Sequence, residues 1–124
     1  MKEFFEKDAF AKLCGIELIS AGDGRARAKM SVQDIHKNSM GMVHGGAIFA
    51  LADAAFAAAS NSHDHQAVAI NINISYLKGV EDGVLFAEAE EINSRGRVGA
   101  YTIKITNQQD EIAAIFEGLA YRKF

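Results

Sequence analysis

Two periods of apolar residues divide this chain. Residues 47–59 read Ala-Ile-Phe-Ala-Leu-Ala-Asp-Ala-Ala-Phe-Ala-Ala-Ala, apolar at all but one position and free of Gly and Pro. Such a run is a helix, and a helix that is apolar all round has no solvent face, so the rest of the fold should wrap it. On either side the period shortens to two. Ala26, Ala28, Met30 and Val32 alternate with Arg25, Arg27, Lys29 and Ser31, which predicts a strand with one wet face. A turn at Ala21-Gly22-Asp23-Gly24 joins it to a first strand over 16–20. Four more strands are predicted over 67–77, 84–93, 98–107 and 111–121, with links at 78–83, 94–96 and 108–110 short enough for antiparallel neighbours. In the 67–77 strand, Val68, Ile70, Ile72, Ile74 and Tyr76 should face the core. Ala69, Asn71, Asn73 and Ser75 then form a polar, uncharged face suited either to solvent or to a ligand or second chain. At the N-terminus Phe5, Ala9 and Leu13 share one side with Phe10 beside them, opposite Lys2, Glu6, Lys7 and Lys12. This predicts one amphipathic helix over 2–13, closed by Gly15.

The sum is an α+β chain: a curled antiparallel sheet of about six strands around one long helix, plus a short N-terminal helix. At 124 residues it makes one domain, 1–124, able to bury roughly two thirds of its unfolded surface. The net charge of −3 supplies no basic face for duplex nucleic acid. Cys14 is the one cysteine, so no disulfide framework exists and a reducing cytoplasm fits; no signal peptide precedes it. The Ala-rich helix is not a membrane span, because alanine is weakly hydrophobic and Asp53 would sit near mid-bilayer.

Asp53 is the anomaly. It is the one formally charged residue between Lys37 and Asp64, and a carboxylate within an apolar helix costs several kcal/mol to bury unless something uses it. The helix should begin at His44-Gly45-Gly46, where the first backbone N–H groups have no partner within the helix. With the positive end of the helix dipole behind them, the Gly45 and Gly46 amides can receive a carbonyl oxygen that gains negative charge. Without a Cβ, a ligand approaches this backbone closely. His63, Asp64 and His65 have imidazole and carboxylate groups but lack metal-ligand spacing, and no metal site is expected.

Asn38, Gly41, His44, Gly45, Gly46, Asp53 and Asn61 together form a pattern that resembles the hotdog-fold acyl-CoA thioesterases of the phenylacetic-acid-pathway, or PaaI-like, family. In that family an Asn-x-x-Gly-x-Val-His-Gly-Gly loop precedes a helix carrying Leu-Ala-Asp, matched here by residues 38–46 and by Leu51, Ala52 and Asp53. The resemblance spans essentially the whole chain. It implies a hotdog fold, homodimers joined through the 67–77 strand, and commonly a homotetramer of two dimers. It also implies hydrolysis of an aryl- or medium-chain acyl-CoA to free acid and CoA. One departure stands out: some relatives carry Ser or Thr where this chain has Ala69, and Asn73 or Ser75 would have to replace that hydroxyl.

Thioester cleavage needs little from the protein. A thiolate with an unperturbed pKa of about 8.5 leaves without much acid assistance, so one carboxylate and an oxyanion donor suffice. Asp53 would act as general base on water or as nucleophile, and Gly45 N–H would hold the oxygen, with Gly46 N–H as a second donor. Asn38 would orient water or carbonyl, while His44 orders its loop or hydrogen-bonds near the thioester. For the coenzyme A phosphates the candidates are Arg95 and Arg97 of Arg95-Gly96-Arg97, which reads equally as a charged hairpin turn, and then Lys78. Phe49, Phe56 and Met42 are candidates for an acyl pocket. No cofactor is expected, since coenzyme A belongs to the substrate. Two other readings stay open: an acyl-CoA-binding sensor, and a 3-hydroxyacyl thioester dehydratase using His44 and Asp53.

Overall fold

The computed structural model describes residues 2–93 and 95–124. Its elements run α1 (Lys2–Glu6), α2 (Ala9–Leu13), β1 (Ile16–Gly22), β2 (Arg25–Ser31), a 3₁₀ turn (Asp34–His36), α3 (Gly45–Ser60), β3 (Gln66–Tyr76), β4 (Val84–Glu91), β5 (Val98–Thr106) and β6 (Ile112–Lys123). The six strands form one antiparallel sheet in the order β1-β2-β4-β5-β6-β3. It curls around α3, which touches every strand. The core lies between, with Met30, Leu51, Phe56, Leu85, Tyr101, Ile103, Ile105 and Phe116 fully buried.

Local chemistry explains most of this. Asp23 and Gly24 both have positive φ, the two-residue turn that the right-handed twist of a hairpin favours. Ala26, Ala28 and Met30 are buried while Arg25 and Arg27 are exposed, as the alternation requires. Gly15, at φ +74°, follows the Cys14 cap in the left-handed conformation that ends a helix. Of the 94–96 link, Ser94 lies outside the described residues.

Three expectations change. The helix expected over 2–13 is two short ones, because the Asp8 side chain accepts the Ala11 N–H at 2.9 Å and starts a new helix there. Ala11 is its buried residue, whereas Leu13 and Phe10 face outwards. The 67–77 strand does not keep one apolar face. Its register with β6 shifts at Ile70, a bulge that leaves Val68 opposite the outward-facing Tyr121 while Ile72 and Ile74 oppose Gly118 and Phe116 on the helix side. Lastly, α3 is not covered all round. Gly45, Phe49, Asp53 and Ala57, spaced by four, form a half-exposed stripe.

Candidate active site

The loop before α3 is built on two histidines and an asparagine. His36 is buried; its Nδ1 accepts Gln33 N–H at 2.9 Å and its Nε2 donates to Cys14 O at 2.6 Å. The His36 carbonyl in turn receives His44 N–H at 2.7 Å, and Val43 N–H bonds Val80 O. Asn38 braces the turn with its side-chain oxygen, which accepts Met40 N–H at 2.9 Å and Met42 N–H at 3.1 Å. Two backbone donors fix which end of the amide points inwards, so the Asn38 NH₂ is left facing out with no partner among the described residues. Asn38 therefore offers a donor, not an acceptor. Gly41, at φ +77°, supplies the reversal within this turn.

His44 caps α3. Its Nδ1 accepts Gly46 N–H at 2.8 Å, so this nitrogen is unprotonated and the hydrogen sits on Nε2 of an exposed ring. Gly46 N–H is thereby occupied unless the ring swings away. Gly45 N–H is different: among the described residues nothing accepts from it. The Tyr76 hydroxyl donates to Gly45 O at 2.8 Å, and a Cβ on Gly45 would come within 3.2 Å of the Tyr76 ring. A side chain at this position would have to push the Tyr76 ring aside by a few tenths of an ångström.

Asp53 lies two turns further along the same helix. It is half buried, and no hydrogen-bond or ion-pair partner meets it among the described residues. Burial lifts its carboxyl above the ordinary carboxylate range, and the charge of Asp8 adds to the shift. Eight residues separate it from Gly45, about 12 Å at 1.5 Å per residue, so one helix does not bring the two together.

The other candidates are dispersed. Asn73 opposes Glu117 and Ser75 opposes Ile115 on the outer face of the sheet, away from Asp53. Neither stands in for a hydroxyl at Ala69 within the chain; the bulge at Ile70 and the strict alternation after it set that orientation. Lys78, paired with Glu111 at 3.3 Å, follows Tyr76 at the start of α3. Arg95 and Arg97 are exposed at the opposite end of the molecule, where Arg97 stacks over Phe124 with 5.5 Å to the ring centroid. Phe56 is fully buried against Tyr101 and Phe116; Phe49 and Met42 are half buried.

A polar hub at the far end of α3 was invisible in the sequence. Glu91 Oε2 accepts from His63 Nε2 at 2.8 Å, Tyr101 hydroxyl at 2.6 Å and Arg122 Nη2 at 3.2 Å. Arg122, almost fully buried, also donates to Gly96 O at 2.9 Å. Burial alone would raise the Glu91 carboxyl, but the Tyr101 and His63 hydrogen bonds and the nearby cations hold it below its ordinary value. Burial, with Glu91 beside it, pushes the Tyr101 phenol up to about 12. These residues come from three strands and a loop, so no local spacing announces them. Among the described residues no cluster of His, Cys, Asp and Glu has a metal-binding arrangement, and no helix is long and apolar enough to cross a membrane.

Comparison with known proteins adds to this geometry. A family model described as the thioesterase superfamily matches residues 40–114, from the Asn38 turn through α3 into β6. The chain is 40% identical over 119 residues to the acyl-coenzyme A thioesterase PaaI of Escherichia coli, covering 95% of this chain and 85% of that protein. The structure of the E. coli PaaI protein from the phenylacetic acid degradation operon superposes with a TM-score of 0.94 at 37% identity, over 99% of this chain and 90% of that one. A mutant of the phenylacetic acid degradation protein PaaI from Thermus thermophilus gives 0.89 at 30% identity, over 94% and 100%.

Proposed function

The chain belongs to the thioesterase superfamily, with a hotdog fold and thioester hydrolase activity, and from that membership we propose that it cleaves an aryl- or medium-chain acyl-CoA to free acid and coenzyme A. The observation that carries this reading is the open Gly45 N–H at the head of α3, beside a Gly46 N–H already satisfied by His44. The substrate carbonyl oxygen accepts from Gly45, where the helix dipole favours the developing charge. Water attacks the carbonyl carbon and gives its proton to Asp53. The C–S bond then breaks, and the thiolate leaves with its electron pair and takes up a proton. Asn38 donates from its NH₂ to the water or the carbonyl oxygen, and His44 Nε2–H supplies a further donor at the mouth. No cofactor enters, because coenzyme A arrives as part of the substrate.

The carboxylate comes from a second copy of the chain. About 12 Å of helix separates Gly45 from Asp53, and β3 is an unpaired edge with Val68 and Ile70 exposed, so a two-fold β3–β3 pairing unites the complementary halves of two sites. That pairing makes a homodimer of this single domain, and the family resemblance implies a homotetramer of two such dimers. In the dimer Arg95 and Arg97 of one chain would be nearer to the site containing their partner's Gly45 and so to the substrate phosphates, with Lys78 as a cation at the near end. Gly46 becomes a second contact of that composite site when the His44 ring swings off its N–H, whereas Asn73, on the outer face of the sheet, lies away from it. The free thiol of Cys14 suits a cytoplasmic location.

Thiol release measured over a panel of phenylacetyl-, benzoyl- and straight-chain acyl-CoAs tests the reading; absence of release from every member overturns it. Enoyl-CoA hydration with no thiol release would favour a dehydratase. Tight acyl-CoA binding without turnover would favour a sensor. A single turnover in ¹⁸O water with enzyme in excess separates the two roles of Asp53. Label in the product acid supports the general base, and label retained on Asp53 means nucleophilic attack.

A further inference from the structure

Phe5 of the N-terminal segment packs against the core, but two other large apolar side chains there face the wrong way for a folding role. On α2 the buried residue is Ala11, whereas Phe10 and Leu13, three apart and on one side of the helix, are 64% and 74% exposed. Ile35, on the 3₁₀ turn, is 73% exposed. These residues do not point to unrelated patches of solvent. Phe10, Leu13, Cys14 and Ile35 line one groove of about 420 Å³, and the end of it next to Gly45 is lined by His44 and Gly46. The volume lies within the range of small-molecule sites.

That end decides the occupant. A thioester carbonyl on Gly45 N–H has two arms, and each must leave past the residues flanking Gly45. The pantetheine arm carries amides and phosphates, which lose free energy against the side chains of Phe10, Leu13 and Ile35, since these cannot hydrogen-bond them. The acyl arm is apolar and gains by contact with Phe10, Leu13 and Ile35. Lys37 is the one formally charged residue that lines the groove among the described residues, and Asp82 compensates it at 3.5 Å, so the groove suits an uncharged arm.

We propose that this groove is the acyl-recognition site and that Phe10 and Leu13 are the specificity-determining residues for an apolar acyl chain or ring. The assignment rests on the acyl-CoA hydrolase reading. It replaces the core phenylalanine Phe56, which is sealed inside the sheet, as the origin of acyl selectivity. The N-terminal helices thereby do for substrate choice what α3 does for chemistry. Each methylene of substrate covered by the groove raises kcat/KM by up to about fourfold, the equivalent of about 0.8 kcal/mol per buried methylene.

The test uses the full chain with Phe10→Ala and Leu13→Ala together, and Ile92→Ala, an exposed apolar residue on the outer face, as control. The ratio of kcat/KM for hexanoyl-CoA to that for acetyl-CoA should fall by about tenfold or more in the double variant and hold in the control. Cys14, the one thiol in the chain, gives a reading independent of turnover. Its modification by a maleimide should be slowed by S-hexyl-CoA, a non-hydrolysable thioether, and much less by coenzyme A alone. An unchanged ratio, or equal protection by the two ligands, overturns the assignment. So does a double variant that loses oligomeric state by light scattering but keeps the wild-type ratio, since a second copy would then be what covers Phe10 and Leu13. If the wild type releases no thiol from any acyl-CoA, the hydrolase reading fails, and Cys14 protection still decides whether the groove takes an acyl arm.

Discussion

Asp53 is a carboxylate that burial penalises and that no donor compensates among the described residues, and its proposed role and its effect on stability both turn on that. Replacing it by Asn should lower kcat/KM by about a hundredfold or more while KM changes little, the signature of a lost base or nucleophile. Its pKa is raised in the folded state. The stability it contributes is therefore present below the ordinary carboxylate pKa of about 3.9 and lost as pH rises through the raised value. Asp53→Asn should accordingly melt higher than wild type at neutral pH and show no such gain near pH 3; a variant that melts lower at neutral pH would contradict this account. The same shift places the acidic limb of the pH–rate profile above the ordinary carboxylate range. Asp8→Asn keeps a competent cap on α2 but removes a charge that raises Asp53, so it should move that limb to lower pH. Asn38 permits an equally clean separation. Asn38→Asp retains the oxygen that braces Met40 and Met42 but loses the outward NH₂, whereas Asn38→Ala loses both. If the donor carries the function, the two variants should both lose about tenfold to a hundredfold in rate, and only Asn38→Ala should also lower the melting temperature.

Elements whose signal is local were legible in the sequence. The length and uniform composition of α3, the Asp23-Gly24 turn and the Arg25–Ser31 alternation each depend on residues within a few positions of one another. So does the entry to α3, where His44-Gly45-Gly46 falls at the cap as expected. The break before α2 was readable in principle, since Asp8 is a strong N-cap residue, but the apolar period of Phe5, Ala9 and Leu13 runs through it unbroken. The bulge at Ile70 left no trace either, because Val68, Ile70 and Ile72 keep period two while β6 decides the register. Least legible is the Glu91 hub, whose partners lie 10 to 31 residues away on β5, β6 and the loop after α3. It has an energetic consequence. Glu91→Ala leaves the Arg122 guanidinium buried without its carboxylate and should cost about 3 kcal/mol or more, measured by urea denaturation. In the wild type the folded pKa of Glu91 is lowered, so its stabilisation is present above the ordinary carboxylate value and is lost as pH falls through the lowered one. The variant's stability should therefore fall less steeply on acidification than that of the wild type.

Across the whole molecule the two groups to which the proposed mechanism gives the chemistry, Gly45 N–H and Asp53, are held apart by construction. α3 is one rigid element, and the positions that expose Gly45 at its head and Asp53 further along cannot be brought closer without unwinding it. β3 at the sheet edge provides the complementary fact, since 11 residues of backbone there have one side unpaired within the chain. In the proposed dimer, a two-fold axis beside β3 would set two α3 helices against one another, so that each Gly45 amide would meet the partner's carboxylate and both sites would be completed at once. A chain lacking Asn38 and His44 still contributes a sound Asp53; a chain lacking Asp53 still contributes a sound amide and its loop. When Asn38→Ala, His44→Ala protein is mixed with Asp53→Ala protein under conditions that let subunits exchange, each mixed dimer should hold one wholly intact site and one doubly damaged site. If exchange is random, half of the dimers are mixed, and activity per chain should approach about a quarter of wild type, well above either parent. Exchange can be followed separately by mass difference between the two chains. Full exchange with activity still at the parental background would show that each site is built within one chain and that α3 must deform to close it.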